Sequence, residues 1–203
     1  MAIDAEPREH RRGLRLFSRT TPVTADRAGM QPPVWDDLAV EALPEFFAGG
    51  GSAQATLFVD PDGTDAHCPN LVWLRLASNY QLPRHSHTGD CLYYVVSGEV
   101  HLGKRTVGPG GGFFVPSGAP YSYAAGPDGA EVLEFRATGR PVDSRILESP
   151  AGWRRILEGV RANRDRWREE LAPYARWCRS ATSVACRTPA GERRSLSIDR
   201  PPG

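Results

Sequence analysis

Between residues 55 and 136 the chain alternates short runs of β-branched and aromatic residues with polar positions and Gly-, Pro- and Asp-rich turns. Such runs predict strands, because branched and aromatic side chains suit a pleated, half-buried surface. The strands expected are 55–59, 71–76, 80–87 (notched at Pro83), 91–96, 99–102, 105–107, 113–115, 121–124 and 132–136. Turn residues separate them: Asp60-Pro61-Asp62-Gly63, Gly103-Lys104, Gly110-Gly111-Gly112 and Gly126-Pro127-Asp128-Gly129. Dense short strands with this turn chemistry predict an all-β sandwich or barrel.

The period changes on both sides. Residues 35–48 place Leu38, Ala42, Leu43 and Phe46 on one helical face, with Asp36 and Asp37 as candidate N-caps and a break expected at Pro44. Ser149-Pro150 is a helix start with Pro at the first helical position. From there Trp153, Ile156, Leu157, Val160, Trp167 and Leu171 recur at intervals that align on one face. They predict an amphipathic helix of about six turns, ending near Ala172-Pro173. The division expected is an N-terminal arm with short helices over 1–54, a barrel over 55–140, a helical extension over 141–178 and a disordered tail over 179–203. The two apolar helical faces exceed what one barrel edge needs, which predicts a homodimer.

Bulk properties narrow the function classes. The 203 residues suit one core with extensions rather than two domains. A net charge of +1 with 24% charged residues gives no electrostatic footprint for nucleic acid or an anionic membrane. No apolar run approaches the roughly 20 residues that span a bilayer. The first residues carry acids and lack an apolar stretch, so no signal peptide is expected. Cys68, Cys91, Cys178 and Cys186 show no zinc-ribbon spacing, and free thiols in a reducing cytoplasm are expected.

One stretch carries the candidate chemistry. His85 and His87 lie two positions apart, so on a strand they point to one face. The apolar run Cys91 to Val96 follows, closed by Ser97-Gly98. This stretch resembles the first motif of the cupins, His-x-His, three or four residues, Glu, six residues, Gly: His85, His87 and Gly98 fit, and Cys91 stands at the glutamate position. The second cupin motif, Gly, five residues, Pro-x-Gly, two residues, His, resembles Gly110 to Tyr121. There Gly110, Pro116 and Gly118 fit, and Tyr121 replaces the third histidine. The resemblance covers residues 70–137 and implies a double-stranded β-helix (jelly-roll) barrel, flanked by an N-terminal extension and a C-terminal helix.

The resemblance further implies a small-molecule substrate in the barrel and a metal-assisted reaction. Two imidazoles suit a divalent transition ion, Zn, Fe, Ni or Mn, but two ligands alone hold it weakly or not at all. Cys91 as a thiolate, or Asp90 in the adjacent turn, is the candidate third ligand; a small buried filler and a solvated turn aspartate are the alternatives. Thiol dioxygenases among the cupins also carry cysteine at the glutamate position but keep three histidines. The reduced ligand set therefore favours non-redox isomerase, lyase or cyclase chemistry, with His85, His87 and Tyr121 catalytic and the Tyr121 phenol as proton donor. The alternatives are a metal-dependent dioxygenase and a non-catalytic ligand-binding cupin. Tyr93, Tyr123, Trp73, Arg75, Glu134 and Arg136 are candidate substrate contacts. Periodicity leaves open which face of strands 71–76 and 131–136 lines the cavity.

Overall fold

The computed structural model describes residues 16–19, 37–59, 69–136, 144–177, 184–187 and 193–196. The expected turn at Asp60-Pro61-Asp62-Gly63, most of the N-terminal arm, Trp35, Asp36, Cys68, Cys178 and the side chain of Cys186 lie outside the described residues. Helix α1 (Asp37–Ala48) leads into strands β1 (Ser52–Val59), β2 (Asn70–Leu76), β3 (His85–Ser86), β4 (Cys91–Leu102), β5 (Arg105–Val107), β6 (Gly112–Val115), β7 (Ala124–Arg136) and β8 (Arg145–Ile146). Helix α2 (Pro150–Leu171), a 3₁₀ turn (Ala172–Trp177) and the strands β9 (Val184–Arg187) and β10 (Arg193–Leu196) follow.

Six strands form one antiparallel sheet in the order β1-β2-β7-β4-β5, with β6 pairing the opposite end of β4 from β5. Strand β3 pairs with β8, and its His85 also bridges to Tyr121, so the histidine segment lies over the face of the sheet that carries Tyr93. Between the two layers lies a buried polar cluster that includes His85, His87, Glu134 and Arg136. The fold is mostly antiparallel β with a C-terminal helix, as the strand density predicts.

Boundaries differ where local chemistry yields to pairing. The stretches 91–96 and 99–102 join into one strand, β4, bent by register shifts at Val95/Ser97 and Gly98/Val100. Gly126-Pro127-Asp128-Gly129 does not end a strand; it bulges within β7, between the pairs Gly98↔Ala130 and Val100↔Ala125. Extra residues on one strand twist the ladder without breaking it. Gly98 sits at this crossing with φ +70°, and a Cβ there would meet the Gly129 carbonyl oxygen at 2.1 Å. Only glycine fits that position. The predicted strand 80–87 is reduced to β3 plus a bridge at Gln81, since Pro83 supplies no N–H for a ladder.

Helix α1 runs through Pro44 as one helix, correcting the expected break. Helix α2 starts where predicted: the Ser149 hydroxyl accepts from Gly152 N at 3.0 Å. Its buried stripe includes Trp153, Ile156, Val160, Trp167 and Leu171. Phe46 of α1 contacts Trp153 and Tyr80, while the Trp167 indole donates to Ser78 O at 2.7 Å. The two apolar helical faces thus bury each other against the sheet, which removes the surface on which the homodimer was expected. In the stretch expected to be disordered, β9 and β10 pair antiparallel. Among the described residues no helix is long and apolar enough to cross a membrane.

Candidate active site

The two motif skeletons are bound to each other through the backbone. Gly118 N donates to His87 O at 2.7 Å, and His85 and Tyr121 exchange both backbone hydrogen bonds at 2.9 Å. The segment carrying Tyr121 is thereby fixed against the segment carrying the histidines. From the sheet, register decides which residues join them. Tyr93 pairs with Glu134, which pairs with Val72, so these three share a face. Cys91 pairs with Arg136 on that same face. His85, His87, Cys91, Tyr93, Tyr123, Glu134 and Arg136 are all buried.

The same register places Trp73 and Arg75 on the opposite face, which corrects their reading as substrate contacts. The Trp73 indole donates to Glu131 at 2.5 Å and its ring lies against Tyr174; Arg75 lies over Tyr174 and donates to Asp128 O. Asp90 is also set apart from the metal role considered for it. It is exposed, and its carboxylate accepts from Ser117 N at 2.8 Å, holding a turn.

Within this buried cluster the hydrogen bonds have a direction. His85 Nδ1 lies 2.8 Å from Pro83 O, and a carbonyl can only accept, so Nδ1 carries the proton. Burial lowers the His85 pKa and keeps the ring neutral, with the Pro83 contact and Glu134 opposing that shift. Its Nε2 is therefore an acceptor, 2.9 Å from the Tyr121 hydroxyl, which donates. The Tyr121 oxygen in turn makes a very short contact with the Tyr93 hydroxyl. Tyr93 is also the cross-strand partner of Glu134 and helps to hold that carboxyl below its ordinary value. Burial pushes both phenols above their ordinary pKa, with the Glu134 charge adding to it, so both remain protonated donors. Phe113 stacks on Tyr93 at 4.5 Å and Tyr123 packs edge-on against it, fixing the ring.

Both His85 nitrogens are thus engaged, and the donors that come together are His87, Cys91 and Glu134, within 4.8 Å of one another. This group could hold a metal ion: nitrogen, sulfur and carboxylate donors suit a divalent transition ion in kind. Two observations oppose a metal in this arrangement. Arg136 forms a buried ion pair with Glu134 and places Nη2 3.3 Å from His87 Nε2, so a cation already engages two of the three donors. Burial also pushes the Cys91 thiol up to about 12, with Arg136 only partly opposing it, which favours the protonated thiol over the thiolate a metal needs. The residues fit a metal in kind, but their present partners do not leave it a place.

Glu134 is pressed toward neutrality by burial, but Arg136 and then His87 outweigh that, and its carboxyl titrates below the usual range. Ser144, whose hydroxyl lies 3.2 Å from His87 Nδ1, and Pro83, whose carbonyl sets the His85 tautomer, carry no signal in the sequence. The pairing of Glu134 with Tyr93 is legible only once β4 and β7 are known to be neighbours.

No family model matches the chain, and no curated protein matches it. Solved structures do. The polyketide cyclase RemF from Streptomyces resistomycificus is 23% identical, over 58% of this chain and 83% of the cyclase, with a TM-score of 0.42. The DMSP lyase DddQ from Ruegeria pomeroyi DSS-3 is 19% identical, with a TM-score of 0.40, over 46% of this chain and 50% of the lyase, so the match spans half of that protein's length. An RmlC-like cupin from Shewanella frigidimarina NCIMB 400 is 22% identical, over 45% of this chain and 79% of that protein, with a TM-score of 0.37.

Proposed function

We infer that the buried cluster around His85 and Tyr121 is an active site for non-redox general acid–base chemistry on a small organic molecule, of the isomerase, lyase or cyclase type. The observation that carries this reading is the directed series Tyr93–Tyr121–His85–Pro83. It presents a neutral phenol as proton donor beside a neutral imidazole with a free lone pair in its absence. A substrate oxygen that replaces His85 as the acceptor of the Tyr121 proton leaves Nε2 available to take a proton from an adjacent carbon. Tyr93 resupplies hydrogen bonding to the Tyr121 oxygen as charge develops there. Such assistance contributes about 10²–10⁴-fold in rate. Tyr123 and Phe113 pack on Tyr93 and hold its ring. His87 is held between Ser144 and Arg136 and acts in this reading as part of the site's wall.

His87, Cys91 and Glu134 would hold Zn, Fe, Ni or Mn only with Arg136 displaced, and a metal held there would supply Lewis acidity. The protein is a homodimer in our reading, through a surface other than the helices. Leu92, Tyr94, Phe114 and Phe135 are 51, 45, 58 and 40% exposed on the outer face of β4, β6 and β7, where Leu92 pairs with both Phe114 and Phe135.

The test is deuterium exchange in D₂O, followed by NMR across a panel of small carbonyl compounds. Wild-type protein is expected to exchange protons next to the carbonyl of at least one compound. Tyr121→Phe should fold normally and lose about 10²–10⁴-fold of that rate. A panel member bound tightly without exchange, with Tyr121→Phe changing affinity by only about 0.5–1.5 kcal/mol, supports a non-catalytic ligand-binding protein instead.

A further inference from the structure

We propose that Arg136 is the resident cation of this site, and that its guanidinium and a divalent metal ion are mutually exclusive occupants of the group formed by His87, Cys91 and Glu134. The inference concerns cation occupancy and holds whichever reaction the site performs. Three observations carry it. First, Arg136 is anchored where a metal's ligands converge: its side chain is buried, pairs with Glu134 and reaches His87 Nε2 at 3.3 Å. Second, it is placed there by the fold and not by a chance rotamer, because Arg136 and Cys91 are direct cross-strand partners on β7 and β4. Third, His87 Nδ1 is taken up by Ser144 at 3.2 Å, so Nε2 is the nitrogen left for a cation, and it is the one Arg136 faces.

Charge excludes joint occupancy. Within the group Glu134 supplies the negative charge that Arg136 already balances. A divalent ion added beside the guanidinium would leave a surplus of positive charge in a buried site, and holding like charges close together there is costly. For the metal to bind, Arg136 must leave Glu134 and His87. The carboxylate of the group comes from β7, two residues from the guanidinium that pairs with it.

The experiment is Co²⁺ titration of the full-length protein, read by thiolate-to-cobalt absorption and by thermal shift. Wild-type protein is expected to bind Co²⁺ weakly, without a thiolate band at neutral pH. Arg136→Met, which keeps length and removes charge, should bind at least about 100-fold more tightly, the order expected when a buried ion pair no longer has to be broken. It should show the thiolate band, and lose it when Cys91→Ser is added. If Arg136→Met folds only with Co²⁺ present, metal-dependent folding that Glu134→Gln abolishes is the same result. Wild-type protein binding Co²⁺ with a full thiolate band, or as tightly as Arg136→Met, overturns the proposal, and the first of these is read without any variant.

Discussion

Replacing Glu134 with glutamine keeps the side chain's volume and removes its charge, leaving the buried Arg136 guanidinium unpaired. Both side chains are only 7% exposed, so solvent cannot take over the role of the carboxylate. Breaking a buried pair from one side costs about 3–5 kcal/mol, most of it the penalty on the remaining charge. For a chain of this size each kcal/mol lowers Tm by roughly 2–4 °C, which predicts a fall of about 6–20 °C. The dependence on pH separates this cause from simple repacking. The folded-state pKa of Glu134 lies below its ordinary value of 4.5, so its contribution is complete above about pH 4.5 and is lost as pH falls through the folded value. Glutamine does not titrate. The gap between wild type and Glu134→Gln, measured by urea unfolding from pH 7 downward, should therefore narrow below pH 4.5. Replacing Glu134 and Arg136 together with methionine should cost less than Glu134→Gln alone, because no charge is stranded. A Glu134→Gln variant within about 1 kcal/mol of wild type at pH 7, or a gap unchanged on acidification, would refute the reasoning.

Further outcomes follow from the same geometry. Gly98→Ala combines a left-handed backbone with a clash against the Gly129 carbonyl and should destabilise by at least about 2 kcal/mol in the same unfolding assay, whereas Gly103→Ala, also at positive φ but with open space around it, should cost less. Phe114→Glu puts a charge in the exposed apolar face of β4, β6 and β7; light scattering should give a dimer for wild type and a monomer for the variant, and a monomeric wild type would remove the interface.

The dense antiparallel strands and the long C-terminal helix starting at Ser149 were legible because each rests on local signals: alternation with turn residues, and a helix start. The site was legible in part. His85, His87, Tyr93, Tyr121, Tyr123, Glu134 and Arg136 do converge. What alternation could not supply was the facing of β2, where Trp73 and Arg75 read as plausibly as Val72 and Leu74 until register with Glu134 and Tyr93 fixes them. Nor could it show that the carboxylate near His87 comes from Glu134 on β7 and not from Asp90 nearby in sequence, since Asp90 is drawn off by Ser117. Gly126–Gly129 was expected to separate two strands and instead lies inside β7. Its role as a bulge depends on the partner strand continuing past it.

The central claim is that His85 is neutral, protonated on Nδ1, and accepts the Tyr121 proton at Nε2. Long-range ¹H–¹⁵N correlation NMR of uniformly labelled protein at pH 7 reads this directly and needs no substrate. One nitrogen of His85 is expected to show the shift of a protonated pyrrole type, assigned to Nδ1, and the other that of a hydrogen-bonded lone pair. That pattern should persist in Tyr121→Phe, with the Nε2 shift moved toward that of a nitrogen that has lost its donor. A His85 carrying its proton on Nε2, or one doubly protonated at pH 7, would contradict the direction of proton donation on which the proposed chemistry stands.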